Sequence, residues 1–173
     1  MENRSNNSNT MDMKELSEAL NKSELSGSKH DDEKPLYNKD IKNISAFLKK
    51  AELFRCEHNW EEAFKKYNEV ISLDPNFLNI FYERGFTYLL AACINKYNNS
   101  FKDNEIVNNL KIAVEDINKQ IKSSGDHYVY YFILGLAYKQ LGNLESAKIN
   151  FDKAKGLNKE IDIKKCILRF DKR

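Results

Sequence analysis

The stretch RCEHNW, residues 55–60, sets a thiol and an imidazole two positions apart, Cys56 and His58. Such a pair is what thiol nucleophiles use, because the base draws the thiol toward thiolate. On a helix, side chains at i and i+2 do not face one another, so this spacing builds no pair. His30 lies in a polar tail, and His127 follows SSGD in a turn. The three cysteines, Cys56, Cys93 and Cys166, are widely spaced and form no CxxC or other ligand pattern, which predicts reduced thiols and no metal. A Gly-rich phosphate loop, an HExxH motif and a spaced carboxylate pair are all missing. The residues therefore predict no enzyme and no cofactor, and the question becomes what the elements carrying them are for.

Composition narrows the classes further. The 173 residues include ten Phe and nine Tyr but two Pro and six Gly, which suits one helical domain with an aromatic core. No apolar run approaches the roughly 18–20 residues that cross a bilayer. The opening MENRSNNSNT lacks the apolar centre of a signal peptide, so a cytoplasmic or nuclear placement is expected. Twenty-eight basic residues against 26 acidic ones argue against a dedicated nucleic-acid binder, which carries a strong basic excess.

Residues 1–40 are polar, hold nine acids and six bases, and read as a disordered leader. Within them TMDMKELSEAL carries Met13, Leu16 and Leu20 at helical spacing, with Thr10 as a candidate cap. From residue 41 the apolar period is helical, and the chain repeats itself. HNWEEAFKKY (58–67), NNLKIAVEDI (108–117) and GNLESAKINF (142–151) superimpose, with Ala63, Ala113 and Ala147 in register. Asn59, Asn109 and Asn143 sit at N-cap places, and Glu62 could close a capping box with Asn59. His58 takes the place of Gly142, where a left-handed turn residue is expected. Ahead of each unit lies a first helix: FLKKAELF (47–54), FYERGFTY (81–88) and YFILGLAY (131–138), with Ala51, Gly85 and Gly135 as the small residues.

These units resemble the tetratricopeptide repeat, a 34-residue helix–turn–helix that stacks into a solenoid. The resemblance covers residues 44–159 and implies an all-α solenoid of antiparallel helix hairpins, with residues 160–173 as a C-terminal capping helix. The repeats fall at about 44–77, 78–127 and 128–159. Spacing tests the frame: small residue to alanine is 12 in the first repeat (51 to 63) and 12 in the third (135 to 147), but 28 in the second (85 to 113). The second repeat thus holds 16 extra residues within 92–108, read as a polar loop, NKYNNSFKDNE, after a prolonged first helix. Tyr97 and Phe101 are its aromatic anchors and form the expected rim of a binding groove. In EIDIKKCILRFDKR, Ile163, Cys166, Ile167 and Phe170 share one face that would cover the last repeat.

The family implies a function as well. Its first helices line a concave groove that grips peptides or amphipathic helices of protein partners. In this sequence the corresponding positions include Leu48, Tyr82, Phe86, Leu89, Val129, Phe132 and Leu136, an apolar and partly aromatic set. The carboxylate clamp that the family uses for Glu-Glu-Val-Asp chaperone tails needs Lys, Asn and Arg. Leu48, Glu52, Glu83, Val129 and Ile133 stand there instead, which argues against such tails. The expectation is a non-enzymatic adaptor or scaffold binding a protein segment in the groove. A permanent structural subunit with a filled groove, or an RNA-binding helical repeat, are the alternatives.

Overall fold

A computed structural model of the protein describes residues 34–97 and 102–170, and the side chains of 41–96 and 102–167. The chain divides into two units, Met1–Tyr37 and Asn38–Arg173, and the helical stack belongs to the second. The helical stretch around Met13, Leu16 and Leu20 lies outside the described residues, as does Phe101.

Seven helices follow in order: α1 Lys34–Cys56, α2 Trp60–Leu73, α3 Ile80–Tyr97, α4 Asp103–Ser124, α5 Tyr128–Gln140, α6 Leu144–Leu157 and α7 Ile163–Phe170. Helix α1 begins inside the segment read as a polar leader, at Lys34 rather than after residue 40. Pro35 in its first turn explains the early start: proline presets a helical φ, and its missing N–H goes unneeded there. The hairpin partners α3–α4 and α5–α6 pack on one another, and α2–α3, α4–α5 and α3–α5 contacts join successive hairpins.

The repeated residues explain these pairs. In α2 the buried residues are Trp60, Ala63, Tyr67 and Val70, spaced by three or four to make one stripe. Ala51 and Ala63 are both fully buried, in a cluster with Ile44, Tyr67, Val70 and Ile80. A second, larger cluster joins Leu89, Leu110, Ala113, Ile117, Leu134, Leu136 and Ala154, and Ile163 and Ile167 of α7 pack against it. At Gly85 the approach of α4 is close, since a Cβ there would stand 3.0 Å from Asp116 Cβ and 3.2 Å from the Ala113 carbonyl oxygen. At Gly135 the room is taken differently: the Phe151 ring of α6 fills it.

The turns repeat too. The Asn59 N–H donates to the Phe54 carbonyl at 2.8 Å and His58 N–H to Arg55 at 3.2 Å; Asn143 to Tyr138 and Gly142 to Lys139 follow the same pattern at 2.9 and 3.1 Å. This is a Schellman closure, and His58 at φ 58° and Gly142 at φ 77° hold its left-handed position. Asn143 caps α6 by accepting from the Ser146 N–H at 3.0 Å. Asn59 occupies the cap position of α2, yet its side chain makes no capping bond. Asn109 is not a cap, because α4 has already run through it.

That last departure changes the reading of the inserted residues. Helix α3 continues twelve residues past Gly85, whereas α5 stops five past Gly135. Helix α4 begins ten residues before Ala113, whereas α6 begins three before Ala147. At this end of the hairpin each helix of the second repeat therefore extends seven residues further, about two turns. The junction, residues 98–102, exceeds the three-residue turn 141–143 by two, and the extra 16 residues are accounted for. The expected polar loop is mostly helix. Leu89, Ala92 and Cys93 line up on α3 at i, i+3, i+4 and, with Leu110 of α4, bury in one cluster that Ile106 packs against. Of its described asparagines Asn104 is exposed, while Asn95 is only 6% exposed.

Candidate protein-binding face

The first helices α1, α3 and α5 set the face that the family pattern singles out. Leu48, Tyr82, Phe86, Val129 and Phe132 all keep part of their surface exposed there. Leu89 and Leu136 do not: both are 0% exposed and belong to the core. Both pack in one cluster with Leu110, Ala113 and Ile117 of α4 and Leu134 of α5. The groove expected from sequence is thus shorter and more aromatic than its seven positions suggested. Tyr97 ends α3 with no described side chain, so the two expected rim anchors, Tyr97 and Phe101, both fall outside what the structure describes.

The aromatic part is ordered by polar anchors that the spacing did not reveal. The Tyr82 and Phe86 rings lie parallel, with 6.0 Å between centroids and 2° between planes. The Tyr82 backbone N–H donates to Gln120 Oε1 of α4 at 3.2 Å. Asn79, in a left-handed conformation at φ 62° just before α3, accepts from the Tyr130 hydroxyl at 2.9 Å. Gln120 Nε2 also donates to Asn79 Oδ1 at 3.4 Å and to the Ser124 hydroxyl at 3.0 Å. Three helices are stitched together at this point, and Tyr82 is held against Tyr130 at 5.6 Å. Burial raises the Tyr82 hydroxyl well above its ordinary range, so it remains a neutral donor.

Beside the rings lies an ion pair. Arg55 Nη1 of α1 donates to Glu83 Oε2 of α3 at 3.1 Å, with only 15% and 22% of the two side chains exposed. The guanidinium also sits 5.9 Å from the centre of the Phe86 ring. Burial works against the Arg55 charge, but Tyr67, Glu83 and Glu52 outweigh it and raise its pKa. For Glu83 the balance falls the other way: burial lifts its carboxyl above the ordinary range, more than Arg55 draws it down. The other conspicuous polar constellation is structural. Arg84 of α3 donates through Nε and Nη2 to the fully buried Asp116 of α4 at 2.7 and 2.8 Å, and its Nη1 reaches Asn68 of α2.

The matches to known families fall on these same helices. A model described as TPR repeat matches residues 54–90, and one described as Tetratricopeptide repeat matches residues 128–161. With the antiparallel hairpins and the buried small-residue register, the assignment is decided. The chain carries tetratricopeptide repeats. The first match takes the turn out of α1, all of α2 and the groove part of α3; the second takes α5, α6 and the turn before α7. The extended hairpin, from residue 91 to 127, lies between them. No curated protein matches the chain.

In this repeat protein Cys56 and His58 are both exposed, and the His58 ring stacks on Trp60 at 5.2 Å rather than serving the thiol. Among the described residues no group of His, Cys, Asp and Glu could hold a metal ion, and no helix is long and apolar enough to cross a membrane.

Proposed function

We propose that this protein is a non-enzymatic adaptor or scaffold that holds a peptide or amphipathic helix of a partner protein against the face of its first helices. Tetratricopeptide repeats are in general protein–protein interaction modules. The observation that carries the finer reading is the set Tyr82, Phe86, Val129 and Phe132, on helices that touch, each only partly buried although large and apolar. Partly exposed aromatics on rigid helices are what binding hot spots are made of, because little side-chain entropy remains to be lost. Leu48 extends this surface onto α1, and the Arg55–Glu83 pair supplies its polar edge.

Acidic chaperone tails are no part of this reading. At the places where a carboxylate clamp needs cations and amides stand Glu52, exposed, Glu83, already paired, and Ile133, 3% exposed. Two carboxylates beside a third would repel it. The test is capture of partners by the full chain from native lysate, compared with the Phe86→Ala, Phe132→Ala double variant and followed by direct titration. Each substitution should weaken true partner binding by about 1–3 kcal/mol, with the helical circular dichroism retained. Equal affinity of the double variant and the parent for the captured protein would end the proposal.

A further inference from the structure

We draw no further inference here: the strongest candidate, the groove of about 760 Å³ lined by Phe47 of α1 and by Phe64, Asn68 and Leu73 of α2, is an apolar face, and nothing in the structure shows what covers it.

Discussion

Replacing Asp116 by Asn tests how the two helices of the second repeat are locked to each other. Asp116 is fully buried, and the Arg84 side chain is 16% exposed. The pair is bidentate, at 2.7 and 2.8 Å, and Arg84 carries the link on to Asn68 of α2 while lying 5.7 Å from the centre of the Phe81 ring. Burial opposes the Arg84 charge, yet Asp116 more than offsets it and raises the guanidinium pKa. An asparagine there keeps one acceptor and turns an NH₂ group toward a guanidinium, so one charge-assisted bond is lost and two donors collide. Breaking a buried pair from one side costs about 3–5 kcal/mol. The residual exposure of Arg84 and its bond to Asn68 place this case at the lower end, about 3 kcal/mol. Urea unfolding followed by helical circular dichroism measures it. A companion variant separates the causes: Arg84→Met with Asp116→Leu removes both charges and should stay within about 1 kcal/mol of the parent. A loss below about 1 kcal/mol for Asp116→Asn, or a double variant as weak as the single, would refute the assignment of a buried, mutually dependent pair.

Two further outcomes follow from the packing and from the first-helix face. Gly135→Ala gains about 1 kcal/mol of helix propensity, but its Cβ enters the Phe151 ring, so a net loss of about 1–2 kcal/mol is expected. Adding Phe151→Leu should recover part of it in a thermal melt, and a Gly135→Ala variant more stable than the parent would show the room to be free. For Glu83, a raised folded pKa means that the native state binds more protons than the unfolded state just above the ordinary carboxylate range. Its contribution is therefore most favourable at low pH and is lost as pH rises through the raised value. Stability of the parent relative to Glu83→Gln should fall as pH climbs from about 4.5, in denaturant titrations at stepped pH. A gap that moves the other way would mean that Arg55 outweighs burial.

Sequence alone determined what depends on local spacing. The 12-residue step from small residue to alanine, the helical apolar period and the turn places of His58 and Gly142 are short-range properties, and the helices and their turns follow them. The excess of 16 residues was also legible as a number. Its form was not, because asparagine disfavours helix only weakly, by a few tenths of a kcal/mol per residue. Burial of Leu89, Ala92, Cys93 and Leu110 against one another outweighs that and turns the segment into two extra turns on each helix. Long-range contact likewise decided the face. Leu48, Tyr82, Phe86, Val129 and Phe132 stay partly exposed as their register suggests, while Leu89 and Leu136 are buried in the cluster that α3, α4 and α5 share. The same holds for Arg84–Asp116 and Arg55–Glu83, partners 32 and 28 residues apart. A helical period says which side of a helix is apolar; only the neighbouring helix decides how much of that side it covers.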